Sequence, residues 1–262
     1  MGQTGFPLIF TGAGGRVGRL LRGVMPVGRV TWVSRAAVMP GDVAWDDLLG
    51  DAPAGAVILH FAGAVRGDLG LNRQLAQQVC GLQGVRHVFV ASSAAVYGPG
   101  DADLAEDRLP DAQSAYGAAK LAMEQAVQGP GVTLLRIGNV AGADALLGGL
   151  VAGGRCVLDP VAGQDGGPHR SYIGPITFAR VMLGLAERAH AGADLPQVLN
   201  VAAPGAVAMA DLLDAAGAEW VYGAPKASVV PRVVLDVQRL CGLVPVARAT
   251  AAELVAEWRA AQ

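Results

Sequence analysis

Short apolar runs alternate with segments of helical periodicity along most of the chain. The apolar runs lie at 6–11, 29–33, 55–61, 85–91, 132–137 and 198–201. Apolar residues recur at helical spacing at 15–25, 71–82, 114–127 and 176–190. This alternation predicts an α/β fold, a doubly wound parallel sheet of the Rossmann type with helices on both faces. Ligands of such sheets bind at the carboxyl ends of the strands, so candidate residues are sought there.

Two stretches follow the alternation less well. Residues 143–175 are rich in Gly and Pro with weak periodicity, and residues 204–262 hold two further helical segments. We predict a dinucleotide-binding domain made of 1–142 plus 176–203. The two irregular stretches are expected to form a small substrate-binding lobe beside it.

Composition excludes several classes of protein. The chain has 262 residues, 20 basic against 22 acidic, and no basic block, so nucleic acid is not an expected partner. Its three cysteines are widely spaced and its four histidines have no metal-ligand spacing, so no metal site is expected. The sequence contains neither a signal peptide nor an apolar stretch typical of a membrane span. We expect a cytoplasmic protein without a membrane partner.

A glycine cluster, TGAGGRVG, follows the first apolar run. Gly12, Gly15 and Gly18 are spaced to allow a tight turn, a close approach of backbone to a pyrophosphate and close packing of helix on strand. Arg16 and Val17 lie in the same loop and are further candidate cofactor contacts. An ordinary Gly-rich turn is the alternative, and the position directly after the first strand favours the dinucleotide.

The end of the second predicted strand indicates which dinucleotide. An acidic residue there would bind the adenosine ribose of NAD, but the strand ends in Ser34 and Arg35. A hydroxyl and a guanidinium suit the 2′-phosphate of NADP. We therefore predict NADP, with NAD less favoured; the alternative is that both residues belong to a solvated loop.

Tyr116 and Lys120 form a Tyr-x-x-x-Lys pair at the start of a predicted helix. This spacing places both side chains on one face, where the ammonium should lower the pKa of the phenol and prepare it for proton transfer. Lysine is rare in this chain, with two residues in total, which disfavours an accidental pair. Ser92 and Ser93 end a buried strand, where a hydroxyl can bind a carbonyl or alcohol oxygen; turn formation is the alternative.

The motifs TGAGGRVG, HFAGAV, FVASSAAVYG, YGAAK and LRIGNVAG occur in that order. Together they resemble the extended short-chain dehydrogenase/reductases, the NAD-dependent epimerase/dehydratase family. The resemblance is strongest from about residue 8 to 142. It implies hydride transfer at a carbinol or ketone carbon of a sugar-like, nucleotide-linked or smaller substrate.

The resemblance also implies a role for each matching residue. Tyr116 would be the general acid/base, Lys120 would tune it and bind the nicotinamide ribose, and Ser93 would be the catalytic hydroxyl. Ala62 and Gly63 would line the cofactor. Further residues implied are Asp46 for the adenine, with Asp42 as the rival, and Asn72 as a support of the site.

On the substrate side, the resemblance implies Ser92, Asn139 and Arg170, the last as a phosphate contact. Ala94 and Ala95 replace the acidic residues that dehydratases of this family carry, so a dehydratase is the least favoured activity. The small lobe favours a reductase or dehydrogenase over an epimerase. The alternative from another class is an NADP-binding sensor without turnover. A small-molecule substrate and a second copy of the chain, in a homodimer, are the partners considered.

Overall fold

The computed structural model describes residues 5–35, 39–100, 102–150 and 155–262. The strands are β1 (Leu8–Thr11), β2 (Thr31–Ser34), β3 (Val43–Ala44), β4 (Val57–His60), β5 (His87–Ser93), β6 (Val132–Ile137), β7 (Asn139–Val140), β8 (Cys156–Leu158), β9 (His169–Arg170), β10 (Tyr172–Ile173), β11 (Val198–Val201), β12 (Val207–Ala208), β13 (Trp220–Tyr222) and β14 (Arg232–Val233). The helices are α1 (Arg16–Val24), α2 (Trp45–Gly50), α3 (Leu71–Cys80), α4 (Ala115–Ala126), α5 (Pro175–His190), α6 (Met209–Ala216), α7 (Gln238–Leu243) and α8 (Ala251–Ala260).

Seven strands form one parallel sheet in the order β11-β6-β5-β4-β1-β2-β3. Because successive side chains of a strand point to opposite faces, Ile9 and Phe10 of β1 contribute to two different apolar cores. Helices α1 and α5 pack on the face of Phe10, whereas α2, α3 and α4 cover the face of Ile9. The predicted doubly wound Rossmann-type fold is confirmed.

A third apolar cluster lies beside the sheet. Its buried members are Ala141, Leu147, Tyr172, Leu212, Leu254 and Val255. All but Ala141 lie in the segments predicted for the small lobe. Short strands surround the cluster in three small sheets, β10-β7, β12-β9-β14 and β13-β8.

Helix α8 connects this lobe to helix α5, which packs on the main sheet. The Glu257 carboxylate accepts hydrogen bonds from the backbone N–H of Thr177 at 2.8 Å and from its hydroxyl at 2.6 Å. Thr177 lies in the first turn of α5, where a negative charge is favourable. Trp258 packs so closely on Gly142 that no Cβ fits there, and Gly142 has φ +85°. The segment that follows β7 is therefore braced by α8.

Candidate active site

A cavity of about 500 Å³ lies at the carboxyl ends of β1, β4, β5 and β6. This is the size and the place expected of a small-molecule site in a doubly wound sheet. Twelve of the residues predicted from the sequence line it together: Gly12, Gly15, Arg16, Val17, Gly18, Gly63, Asn72, Ser92, Ser93, Tyr116, Lys120 and Asn139.

Two glycines of the loop, Gly12 and Gly18, have no room for a side chain. Gly12 has φ +86°, and a Cβ there would lie 2.6 Å from the carbonyl carbon of Phe61. A Cβ on Gly18 would lie 2.5 Å from the carbonyl oxygen of Gly12. Gly15 is the N-cap of α1, and among the described residues no side chain caps this end. Since Gly15, Arg16 and Val17 line the cavity, the uncapped start of α1 lies at its wall, an arrangement that fits a dinucleotide pyrophosphate.

Local packing brings the tyrosine to the serine. Ser114 caps α4 by accepting a hydrogen bond from the N–H of Gly117 at 3.0 Å. A Cβ on Gly117 would overlap the carbonyl oxygen of Ala95, so glycine lets α4 approach the turn that follows β5. The Tyr116 phenol consequently lies within hydrogen-bonding reach of Ser93. Two motifs separated in the sequence thereby meet at one point of the cavity.

The environment of the phenol differs from the sequence-based prediction. Burial raises the pKa of Tyr116, while the hydrogen bond with Ser93 and the charge of Arg16 act to lower it. The Lys120 Nζ lies 5.9 Å from the centroid of the Tyr116 ring and donates a hydrogen bond to the carbonyl oxygen of Ala91 at 2.8 Å. Lys120 is not among the causes of the pKa shift of Tyr116, so the predicted lowering of the phenol pKa by Lys120 gains no support.

Ser92 and Lys120 lie over a buried ion pair. The Ser92 hydroxyl donates to Glu124 Oε1, and Glu124 also accepts from Nη2 of Arg136 at 2.8 Å. Because the single proton of Ser92 is used in this way, its oxygen can only accept hydrogen bonds from a ligand. The role predicted for Ser92 in substrate binding stays a prediction, restricted to accepting.

Asp144 organises the opposite wall of the cavity. Arg16 Nη1 donates to its backbone oxygen at 2.9 Å, and the Tyr172 hydroxyl donates to its carboxylate at 3.0 Å. The same carboxylate accepts from three backbone N–H groups, those of Gly142, Leu146 and Leu147. Asp144 was not predicted from the sequence, since one aspartate in a Gly-rich stretch gives no pattern to recognise.

The predicted contacts to the adenosine lie outside the lining of this cavity. Ser34 is buried at the end of β2 and Arg35 is exposed just after it. Asp46 is exposed in the first turn of α2. Ala62 lies between two cavity residues, and its N–H donates to Thr11 Oγ1 at 3.4 Å. The rival candidate, Asp42, accepts a hydrogen bond from Arg22 at 2.7 Å. Asp42 lies just before β3, whereas Asp46 lies just after it, so Asp46 is better placed at the carboxyl edge of the sheet.

Arg170 is likewise not brought into the cavity. Its guanidinium donates to the carbonyl oxygens of His169 and Val230, both at 2.8 Å, and of Pro231 at 3.4 Å. These bonds join β9 to the chain that leads into β14, and burial lowers the pKa of the guanidinium. The geometry gives a structural reason for this arginine, and its predicted contact with a phosphate gains no support.

The described ranges contain neither a metal site nor a membrane-spanning helix. Within them, no three His, Cys, Asp or Glu side chains are grouped as a metal ion would require. Over those same ranges, no helix combines the length and the apolar character needed to cross a membrane.

Known proteins similar to this chain point to one family. The model of the NAD dependent epimerase/dehydratase family matches residues 61–153. No curated protein matches the chain. The family match, over about a third of the chain, agrees with the resemblance predicted from the motifs.

Solved structures share the whole fold. The MoeE5 complex with UDP-glucose and NAD has a TM-score of 0.75 at 24% identity, covering 97% of this chain and 98% of that one. TunA, described as an NAD dependent NDP-hexosamine 5,6-dehydratase of tunicamycin biosynthesis, has a TM-score of 0.74 at 20% identity, covering 98% of both chains. The UDP-glucuronic acid 4-epimerase of Bacillus cereus, solved with UDP-glucuronic acid and NAD, has a TM-score of 0.71 at 16% identity, covering 98% and 99%. At these identities the likeness shows the fold.

Proposed function

We propose that this chain, similar to the NAD dependent epimerase/dehydratase family, is an NAD(P)-dependent oxidoreductase or epimerase. It would act by hydride transfer at a carbinol or ketone carbon of a sugar-like substrate. The observation that carries the proposal is one cavity that contains the glycine loop together with Ser93, Tyr116 and Lys120. The nucleotide sugars bound in similar structures, UDP-glucose and UDP-glucuronic acid, support a nucleotide-linked substrate.

Each residue has a definite task in this proposal. The nicotinamide, when bound, supplies or accepts the hydride. Tyr116 gives a proton to the substrate oxygen during reduction and takes it back during oxidation, while Ser93 binds that same oxygen. Burial raises the pKa of Tyr116, which keeps the phenol protonated and ready to donate. One Lys120 donor is used on Ala91, so two remain for the ribose hydroxyls.

Within the NAD(P) class, we propose a preference for NADP. Arg35 is exposed next to the buried Ser34, and no acid follows β2 directly to repel a 2′-phosphate. Titration should show NADP binding at least several-fold more tightly than NAD, and Arg35→Ala should remove the difference. Arg73→Ala, at an exposed position of α3, is the control. Equal affinities for NADP and NAD in the unmodified protein would contradict the preference. The similar structures solved with NAD give a specific reason to test for that result.

Product analysis distinguishes a reductase or dehydrogenase from an epimerase. We propose a reductase or dehydrogenase ahead of an epimerase, because an epimerised sugar must turn within the site between two hydride transfers. Incubation with UDP-glucose, UDP-glucuronic acid and simple sugar phosphates should change the absorbance of the nicotinamide cofactor. Inversion at one carbon, seen by NMR without net change in the cofactor, would establish an epimerase. Cofactor binding without turnover of any substrate would instead favour a sensor.

We also propose the predicted division of the chain into a domain and a lobe, a homodimer, and an anionic contact of Arg170. The division into 1–142 plus 176–203 and a lobe of 143–175 plus 204–262 is supported by the separate third apolar cluster. A homodimer would be detected by sedimentation equilibrium. An anionic contact of Arg170 would require its guanidinium to leave the carbonyl oxygens it now binds, so Arg170→Ala should leave substrate affinity nearly unchanged if that contact is absent.

A further inference from the structure

Helix α4 places two charged side chains over consecutive residues of β5. Lys120 and Glu124 are one helical turn apart on one face of the helix. Lys120, 7% exposed, donates to the carbonyl oxygen of Ala91 at 2.8 Å. Glu124, 1% exposed, accepts from the hydroxyl of Ser92. The carboxylate is thus built into the wall that carries the ammonium.

Arg136 of β6 fixes this carboxylate. Its Nη2 lies 2.8 Å from Oε2 of Glu124, and its Nε lies 3.1 Å and 3.2 Å from the two oxygens. The other side of the guanidinium packs over the ring of Tyr97, with 4.8 Å from its central carbon to the ring centroid. Both side chains of the pair are almost fully buried, at 6% and 2% exposure. A buried pair of this kind adds little to stability compared with apolar residues, so stability alone does not explain it.

The electrostatic setting of Lys120 offers a better explanation. The titratable groups that face it are Tyr116 and Glu124 on α4, His60 at the end of β4, and Arg136 behind Glu124. Burial lowers the pKa of Lys120 to about 8, and Glu124 acts against that lowering. Burial also lowers the pKa of His60, to about 3, so that ring adds no positive charge near neutral pH. Glu124 is the group of this set that favours the charged lysine.

We propose that Glu124 is a positioning residue of this site, whose carboxylate, oriented by Arg136, keeps Lys120 in its ammonium form and holds the hydroxyl of Ser92. The use of that ammonium for a cofactor rests on the proposed function. The relation between the two charges does not, because it is a property of the chain by itself. In the sequence, this arrangement extends the Tyr-x-x-x-Lys pair to Tyr-x-x-x-Lys-x-x-x-Glu, from residue 116 to 124.

The test uses the rarity of lysine in this chain. Lys120 and Lys226 are its two lysines, and Lys226 is exposed, with 60% of its side chain accessible. The folded protein, without cofactor, is labelled with a trace of acetic anhydride over a series of pH values, and each lysine is followed by mass spectrometry. The labelling midpoint of Lys120 should fall by about one pH unit or more in Glu124→Gln, since an opposite charge is lost. Lys226 is the internal reference, and Glu187→Gln, at an exposed position of α5, is the matched control.

A double variant protects the test against misfolding. Glu124→Gln leaves the buried Arg136 without its ion-pair partner, whereas Glu124→Gln with Arg136→Met removes both charges. The labelling midpoints of Lys120 should fall in the order unmodified protein, double variant, single variant, because the single variant keeps an uncompensated cation nearby. If Glu124→Gln does not fold, the double variant decides by its shift relative to the unmodified protein. The proposal is wrong if the labelling midpoints of Lys120 in the unmodified protein and in the variants agree within about 0.3 pH units, which is well below the shift expected when an opposite charge is lost.

Cofactor titration then separates this inference from the proposed function. In Glu124→Gln, binding of NAD(P) should weaken at a lower pH than in the unmodified protein, following the labelling midpoint of Lys120. A shifted midpoint in a protein that binds no NAD(P) would refute the function and leave the charge relation standing. Normal cofactor binding with an unshifted midpoint would refute the role of Glu124 and leave the function standing.

Discussion

The two walls of the cavity are built in different ways. The wall formed by β1, β4, β5 and α4 takes its shape from regular elements, so Ser93 and Tyr116 are placed by strand ends and a helix start. The opposite wall is the segment after β7, where one carboxylate, that of Asp144, gathers three backbone N–H groups and a tyrosine hydroxyl. Its outer support is Trp258 of α8, packed on Gly142.

This difference has a physical reason. Parallel strands must all end at one edge, so any residue at such an end is carried to the site by topology. An irregular segment has no such constraint and depends on particular side chains to satisfy its backbone. Changes at the regular wall should therefore alter the chemistry with little effect on folding. Changes at the irregular wall should alter stability and substrate affinity together.

The largest effect is expected at the regular wall. Tyr116→Phe removes the proton donor while keeping the ring, so turnover should fall by about 100-fold or more. Cofactor affinity and the unfolding midpoint should change little. Steady-state kinetics, cofactor titration and thermal denaturation measure the three quantities, with Tyr222→Phe in the lobe as the control. Activity above about a tenth of the original would remove Tyr116 from the proposed chemistry.

Gly142→Ala tests the irregular wall. The new Cβ would be strained at φ +85° and would overlap Trp258. Left-handed strain costs about 1–2 kcal/mol, and overpacking adds about 1–3 kcal/mol. Gly163→Ala is the matched control, since it has φ +70° with nothing within 4 Å and should show the strain alone. Chemical denaturation measures the loss of unfolding free energy in both variants. Equal losses would mean that the contact with Trp258 does not contribute to the effect of Gly142→Ala.

Acid should destabilise the fold through His60, which ends β4 but is buried outside the lining of the cavity. Burial lowers the pKa of this ring to about 3 from its ordinary value of 6.5, so the folded protein keeps it neutral. Between those values the unfolded chain binds a proton that the folded chain does not, and the unfolding free energy falls as the pH decreases from about 6.5 toward 3. The loss at pH 4.5 should be about 2–3 kcal/mol.

His60→Gln should make that part of the pH profile less steep, measured by urea denaturation at several pH values; part of the slope remains because burial also lowers the pKa of His87, to about 4. His190→Gln, at an exposed position, is the control. The same slope in His60→Gln as in the unmodified protein would show that other groups cause the acid sensitivity.

The smallest effect is expected at the start of α8. The Thr250 hydroxyl accepts from the N–H of Glu253 at 3.3 Å in a capping box. Thr250→Ala should lower the unfolding free energy by about 1 kcal/mol. Because α8 supports the irregular wall, substrate affinity should weaken slightly while cofactor affinity stays constant. A change in both affinities would argue against treating the walls as separate.

Most of the regular architecture could be predicted from the sequence. The six predicted strands and the helices α1, α3, α4 and α5 all form, and each end lies within two residues of the expected bound. Their signal is strong because buried parallel strands are continuous apolar runs. Strand β3 and helix α2, at 43–50, were missed because two and six residues are too few to show a period.

The site was predictable where chemistry and spacing coincide. Tyr116 with Lys120 has a helical spacing, and the glycines have the spacing of a tight loop, so both were found. Asp144 and Glu124 were missed, since one lies in a segment without periodicity and the other is an ordinary helix residue until its partner Arg136 is known. Burial of Tyr116 and the direction of the Lys120 ammonium depend on packing between distant segments, which no local pattern contains.

The bond between Thr177 and Glu257 joins residues 80 positions apart, and that between Arg16 and Asp144 spans 128. Regular units of strand and helix close much shorter loops and so form sooner than such distant pairs. During synthesis at the ribosome, the glycine loop, Tyr116 and Lys120 emerge well before Glu257 and can fold ahead of it. The nascent chain should therefore acquire the means to bind a dinucleotide before the opposite wall is braced, and a bound cofactor would then favour the remaining steps of folding by mass action.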